Sequence, residues 1–505
     1  MDKKRESVEA HPATDPYLGV PEDLEHTGKN KWSRLWPVIA CGAGLFSDGY
    51  LNNVIGSVGT MLQKIYTKPV YKPSQANVGS ITFAGTVLGM LLFGYTSDKY
   101  SRKWSLMAST LLIVLFAILG TGSWGPSPHQ LFACLTGMRF FLGVGIGGEY
   151  PSGSVGAAEG TAELKSGTRN WWFIMFTNVM IDFGFVIGAF VPMLAVLATG
   201  ENHLRLAWRL SLGFGIFPPL ILLFLRFKLQ EPEAYKINAA QFKTPWLLAA
   251  RYYWPRLLAV CSIWFVYDWI SYSFGIYFSD TITNLQGSDK RMWVNFGWNT
   301  LMNFFYMPGA VLGAYLADLK GLKPRHILGG FFIAQGVLGF IMAACYKQLV
   351  EPKNVGAFVI TYGIFLAFGE AGPGDNIGLF ASKTSATAIR GKYYGIAAAV
   401  GKIGAYVGSY CTPAIQDSAG PDTDAFKIVR GQRPFWIASA IAVFAGLIAL
   451  FFLPDINQDS IEQEDVKFRE YLHSHGYDTS QMGVHGSASS TQQLTQSAES
   501  REKAS

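Results

Sequence analysis

The sequence predicts an all-α polytopic membrane protein, with twelve transmembrane helices in two pseudo-symmetric six-helix bundles. Three observations predict it. Half of the 505 residues are apolar and only 15% are charged, whereas soluble domains carry about 25% charged residues. Apolar runs of bilayer-spanning length, about 20 residues each, recur along the chain. A hydrophilic stretch at 228–256 divides these runs into six and six.

The expected spans are 36–57, 78–97, 104–124, 130–155, 171–199 and 207–227, then 257–279, 294–317, 326–345, 357–380, 393–413 and 435–453. They imply a first bundle at 36–227, a cytosolic central link at 228–256 and a second bundle at 257–453. The flanking tails, 1–35 and 454–505, are polar. The second is rich in Ser, Gln and Thr, a composition expected to be disordered. The polar N-terminal stretch predicts no cleavable signal peptide. Lys and Arg concentrate in the tails and the link, which puts both termini in the cytosol. A net charge of +6 gives no reason to expect nucleic acid. The five cysteines (41, 134, 261, 345 and 411) lie mostly in apolar runs without metal-type spacing, and read as small core residues.

The stretch from Arg139 to Arg169 organises the first bundle. Gly143 and Gly147, and Gly145 and Gly148, recur at helical spacing and predict close helix approach. Glu149 follows them. A carboxylate there costs about 2.5–3.5 kcal/mol on insertion scales, so it is expected to face an internal cavity. Pro151 is expected to loosen the helix beside it. A phosphate-cradling loop is the rival reading of these glycines, but it needs a preceding strand and a later acidic ribose contact, and neither occurs.

Other polar residues fall within apolar spans. Asp48 and Asn52 share one helix face, as do Asn178 and Asp182. Trp264, Asp268 and Tyr272 recur every four residues. Lys402 is a deep base in the eleventh span. Intramembrane charges mark functional sites by default, although Asp48 and Asp182 are also compatible with structural hydrogen bonding, and Lys402 with a plain counter-ion role. Two loops repeat an acid, a small residue three on and a base five on: Asp98-Lys99-Tyr100-Ser101-Arg102-Lys103 and Asp318-Leu319-Lys320-Gly321-Leu322-Lys323. They read either as topology-setting charge or as a clasp that breaks when the inner side opens, with Asp98, Arg102, Lys103, Asp318 and Lys323 as its members. Paired halves rocking about a midplane site is the recurring transporter architecture.

On these residues the chain resembles the major facilitator superfamily. Gly94 to Lys103 is similar to the loop between its second and third helices, with Ser101 where Gly is usual. Arg139-Phe140-Phe141-Leu142-Gly143, Glu231-Pro232-Glu233 and Leu453-Pro454-Asp455 look like further landmarks. Gly145-Ile146-Gly147-Gly148-Glu149-Tyr150-Pro151 resembles the phosphate:proton symporter branch, whose inorganic-phosphate members carry Asp in place of Glu149. Glu149-Tyr150-Pro151 followed by Ser152-Gly153-Ser154-Val155 is most similar to the fungal glycerophosphoinositol permeases. The resemblance implies a substrate site of Tyr150, Asn178, Trp264, Asp268, Tyr272 and Lys402, and proton coupling through Asp48, Glu149 or Asp182. In the tenth span, Phe368-Gly369-Glu370-Ala371-Gly372-Pro373-Gly374-Asp375-Asn376 departs from the pattern, and Asn376 is the substitute expected for the family's asparagine ligand. The Gly-Pro-Gly run is expected to unwind that helix beside the cavity.

The implied function is proton-coupled import of a phosphorylated organic anion, glycerophosphoinositol or a related glycerophosphodiester, by alternating access across the plasma membrane. The only coupling ion is the proton, and neither cofactor nor metal is expected. Membrane lipid surrounds a chain expected to work as a monomer. Inorganic phosphate symport is the alternative, and a non-transporting nutrient sensor the weaker one. Enzymatic chemistry is disfavoured because no nucleophile-plus-base set is visible.

Overall fold

The computed structural model describes residues 31–66, 68–161, 164–230, 245–286, 291–421, 423 and 425–479. The first thirty residues, the Glu231-Pro232-Glu233 landmark and residues 480–505 lie outside the described residues. The first half contains α1 (Lys31–Gly42), α2 (Leu45–Ile65), α3 (Lys68–Lys99), α4 (Arg102–Thr121), α5 (Pro128–Gly148), α6 (Val155–Gly160), α7 (Arg169–Phe176), α8 (Asn178–Thr199), α9 (Leu204–Phe214) and α10 (Phe217–Arg226). The second half contains α11 (Trp246–Gln286), α12 (Met292–Phe304), α13 (Tyr306–Ala317), α14 (Pro324–Ala344), α15 (Val355–Gly369), α16 (Asp375–Lys383), α17 (Arg390–Asp417) and α18 (Lys427–Phe452), and α19 (Ser460–Ser474) follows it.

Among the described residues, nine helical segments are long and apolar enough to cross a membrane. Three further passes coincide with expected spans but are polar or broken. Buried Asp48, Asn52 and Asn53 lie within α2, Asn295, Asn299 and Asn303 line one side of α12 before the break at Phe305, and Lys402 sits within α17. Their polarity follows from position, because these passes border the space between the halves.

Small residues set the packing of the first half. A Cβ on Gly143 would lie 2.1 Å from the Thr82 carbonyl of α3, and one on Gly147 2.3 Å from that of Thr86. Only glycine allows the two backbones so close. Across the molecule, α17 packs on α3 and α12 on α8, an exchange expected of halves related by a pseudo-twofold axis.

The fourth pass of each half carries a π-helical turn at a proline: Glu149–Ser154 with Pro151, and Glu370–Gly374 with Pro373. Proline lacks an N–H, and widened turns of this kind gather at functional sites. The Gly-Pro-Gly run therefore widens its helix rather than unwinding it.

Two expectations are corrected at the ends of the second half. The last part of the expected link is helical, since α11 begins at Trp246. The tail is not disordered throughout, because α19 docks: Phe468 and Leu472 are fully buried against Ala249, Tyr253, Ile389 and Tyr393. An apolar stripe hidden in a polar stretch drives this, with Ile461, Phe468 and Leu472 spaced along one helix face. Cys345 is also exposed rather than core, while Cys41 and Cys261 are buried.

Candidate functional site

Between the halves lies a small, partly open space, the kind of concave setting in which small-molecule sites occur. Both halves line it, with Tyr150 and Asn178 from the first and Trp264, Tyr267, Asp268, Tyr272, Asp375 and Lys402 from the second.

Lys402, fully buried on α17, is its chemical centre. The ammonium donates to the Tyr272 hydroxyl at 2.5 Å and stands 3.3 Å from Asp268 Oδ2 and 3.6 Å from Asp48 Oδ2. It also lies over the Tyr272 and Tyr150 rings, 4.0 and 5.0 Å from their centroids. Asp48 gathers donors: Asn52 to Oδ1 at 2.5 Å, Tyr272 to Oδ2 at 3.2 Å, and the Tyr150 hydroxyl to the same oxygen. One buried cation thus faces two carboxylates, one from each half. An anion placed here would compete with those carboxylates for Lys402.

A second polar group borders the same space. Asn178 Nδ2 donates to Asp375 Oδ1 at 2.9 Å and to Glu370 Oε2 at 3.0 Å, with Asp182 Oδ2 at 3.4 Å. The Tyr267 hydroxyl reaches both Glu370 oxygens, at 2.7 and 2.8 Å.

Two expected site residues lie elsewhere. Glu149 does not face the cavity. It forms a bidentate ion pair with Arg226 of α10, both bonds at 2.7 Å, and also accepts from Thr110 at 2.9 Å. Arg226 in turn donates to the Ala40 and Cys41 carbonyls. The sequence hid this partner, because Arg226 reads as an ordinary basic residue at a helix end yet is fully buried. Asn376 is likewise turned away, its amide donating back to the Gly372 carbonyl at 2.9 Å. Its neighbour Asp375 lines the cavity instead.

The repeated loop acids meet across the seam on the face that also carries α19. Asp98 accepts from the amides of Gly391 and Lys392, both at 2.8 Å, in the first turn of α17. A carboxylate at a helix N-terminus satisfies amides that have no partner within the helix, and complements its dipole. Asp318 does the same in mirror image, accepting from the Trp171 amide of α7 at 2.7 Å. Arg102 binds Asp98 at 2.6 Å and Glu159 at 2.9 Å, and Arg390 of the second half reaches the same Glu159 oxygen at 3.0 Å. Lys103 and Lys323 each bond a residue on their own side of the seam. Lys103 donates to the Phe227 carbonyl, and Lys323 pairs with Asp455 at 2.7 Å on the exposed surface.

The opposite face is closed by weaker ties. Asn53 donates to Asn303 at 3.1 Å, and the Met292 amide donates to Glu201 at 2.7 Å. Hydrogen bonds therefore join the halves on both sides of the cavity.

Sequence reasoning missed Glu159, Arg226, Tyr267, Arg390 and the use of Glu370. A signal existed for Arg390. Arg169-Asn170-Trp171-Trp172 and Arg390-Gly391-Lys392-Tyr393 open equivalent helices of the two halves, each beginning with arginine and holding aromatics in its first turns.

The family model described as "Sugar (and other) transporter" matches residues 36–243 and 233–468. The chain is 46% identical over 484 residues to the major glycerophosphoinositol permease GIT3 of Candida albicans, covering 94% of this chain and 88% of that one. It is 46% identical to that organism's glycerophosphocholine permease GIT4, covering 90% and 84%. Identity to the inorganic phosphate transporter PT2 of Toxoplasma gondii is 27%, over 86% and 74%. Among solved structures, the major facilitator superfamily proton:xylose symporter XylE superposes with a TM-score of 0.68 at 17% identity, covering 86% of this chain and 98% of that one. At that identity the likeness speaks for the fold alone. The chain thus belongs to the sugar (and other) transporter family, with the Candida albicans glycerophosphodiester permeases and transporters among its relatives.

Proposed function

We propose that this transporter imports a glycerophosphodiester, glycerophosphoinositol or a close relative, together with protons. The observation that carries this reading is Lys402, held between Asp48 of one half and Asp268 of the other. A phosphodiester brings one negative charge to one lysine, and the released carboxylates take up protons. Tyr150, Trp264 and Tyr272 supply neutral donors, and Asn178 and Asp375 meet head-group hydroxyls. The names and identities of the Candida permeases support the substrate class. In this reading both termini lie in the cytosol, the Asp98 and Asp318 ties form the cytosolic gate, the membrane is the plasma membrane, and the chain works as a monomer. An inward proton gradient then drives uptake against a negative interior, each added positive charge gaining about 2.3 kcal/mol per 100 mV.

Uptake by cells expressing the chain tests the proposal. Labelled glycerophosphoinositol should accumulate, and a protonophore should abolish accumulation. Inorganic phosphate is the second reading, favoured by the PT2 relationship, and it replaces the first if labelled phosphate enters and the diester does not.

A further inference from the structure

Three carboxylic acids converge on Asn178, and among the described residues none of them has a cation as a direct hydrogen-bond partner. Asp375 Oδ1 and Glu370 Oε2 accept from the same amide nitrogen at 2.9 and 3.0 Å, with Asp182 Oδ2 at 3.4 Å. One amide group offers two hydrogens to these three acceptors. All three acids are fully buried, Asp182 Oδ1 has no hydrogen-bond partner among the described residues, and the Ala314 amide lies beside Asp375. The surrounding elements add little positive charge. From α11 come Tyr267, whose hydroxyl donates to Glu370, and Asp268. From α13 comes Tyr306, from α14 the neutral Gln335 near Gly369, and Lys402 of α17 is engaged by Asp268 and Asp48. Like-charged carboxylates sharing one dry site cannot all ionise. An uncompensated buried charge costs several kcal/mol.

The acids also come from different halves. Asn178 and Asp182 sit on α8 of the first, while Glu370 and Asp375 flank Pro373 in the second. The cluster exists only while the halves are together at this level.

We infer that Asp182, Glu370 and Asp375 form a second proton-binding site, separate from the Lys402 centre, which must be protonated for the halves to close around the cavity. In the closed form the acids hold at least one proton as carboxylic O–H. When the halves part, Asp182 moves away from Glu370 and Asp375, water reaches them, and the proton leaves to that water. This deepens the proton-coupled reading above and rests on it for the identity of the substrate, but closure without substrate tests it independently.

The test uses spin labels on the full-length purified protein in nanodiscs. One pair replaces exposed Tyr100 and Leu322 on the α19 face, and another replaces exposed Trp124 and Lys353 on the opposite face. Without substrate, the closed-to-open ratio of the wild type should rise as pH falls, by a factor of ten per pH unit for each proton bound only by the closed form. In Glu370→Gln or Asp375→Asn that slope should fall by about one decade per pH unit, with closure persisting at higher pH. An unchanged slope in both variants overturns the proposal. So does an unchanged slope accompanied by selective loss of glycerophosphocholine binding with glycerophosphoinositol binding intact, which would make the acids a pocket for a cationic head group. Should both variants fail to fold, Tyr267→Phe carries the test. Removing a donor to Glu370 favours its protonated form, so the slope should persist with its midpoint at higher pH, and an unmoved midpoint overturns the proposal. A protein that moved no glycerophosphodiester would defeat the substrate reading yet leave this pH-driven closure measurable.

Discussion

Asp98 and Gly391 meet across the seam between the halves, the Gly391 amide donating to Asp98 Oδ1 at 2.8 Å while Arg102 holds the same oxygen at 2.6 Å. One carboxylate thus serves a loop of the first half and the opening turn of a helix in the second. Parting the halves on this face strips the α17 amides of their acceptor and separates Arg390 from Glu159.

Asp98→Ala should therefore favour opening on the α19 face, because the Gly391 and Lys392 amides lose their acceptor across the seam, and a buried donor left unsatisfied costs about 1–3 kcal/mol. Distances between spin labels at Tyr100 and Leu322 would report it, with a larger open population than in the wild type. Asp318→Ala should act in the same direction through Trp171. A closed population matching the wild type in both variants would remove these acids from the gate.

The Glu149–Arg226 pair predicts a stability effect rather than a coupling effect. Arg226→Ala and Glu149→Gln should each lower the thermal midpoint of the purified protein, by an amount corresponding to about 3–5 kcal/mol. The combined apolar variant Glu149→Leu with Arg226→Met should recover much of that loss, since well-packed apolar replacements of buried pairs are often neutral. A Glu149→Gln protein with unchanged melting and abolished uphill transport would return Glu149 to a proton-carrying role.

Much of the fold was legible because apolar runs, glycine spacing and the repeated loop acids are local patterns. Gly143 and Gly147 foretold the close approach to α3, and the Trp264, Asp268 and Tyr272 stripe foretold a cavity wall. Partner choice was not legible. Whether Glu149 faces a cavity or an arginine depends on where α10 lies, 77 residues away in sequence. Lys103 and Lys323 matched the motif by spacing, but helix geometry turned them to the surface, and Arg390 took the crossing role. Helix α19 was obscured by composition, because three apolar residues suffice to dock it in an otherwise polar tail.

That docking gives a pH prediction outside the membrane. The Lys323 ammonium, hydrogen-bonded to Asp455, and the nearby Arg325 hold the Asp455 carboxyl below the ordinary aspartate range. A lowered carboxyl contributes stability above its unfolded value of about 3.9, and loses that contribution as pH falls through the lower folded value. Tail attachment through this pair should thus be flat from pH 5 to 8 and weaken only below about 4. The pair is exposed, so Asp455→Asn should cost at most about 1 kcal/mol. Phe468→Ala should cost about 3–5 kcal/mol of docking. Hydrogen exchange over 460–474 would measure both, and protection in Phe468→Ala equal to the wild type would contradict the docking account.

The charge-exchange account turns on Lys402. Lys402→Ala should lose glycerophosphoinositol binding in folded protein, and Lys402→Arg should recover little, because the guanidinium fork does not replace a point charge among Asp48, Asp268 and Tyr272. Unchanged affinity would leave Lys402 a counter-ion only.

The most direct measurement is uptake of labelled glycerophosphoinositol into proteoliposomes of the purified protein under an imposed acid-outside gradient. The account predicts accumulation above the external concentration, its loss on collapsing the gradient and in Lys402→Ala, and weak competition by millimolar phosphate. Accumulation that survives Lys402→Ala, or label displaced by phosphate but not by unlabelled glycerophosphoinositol, would contradict it.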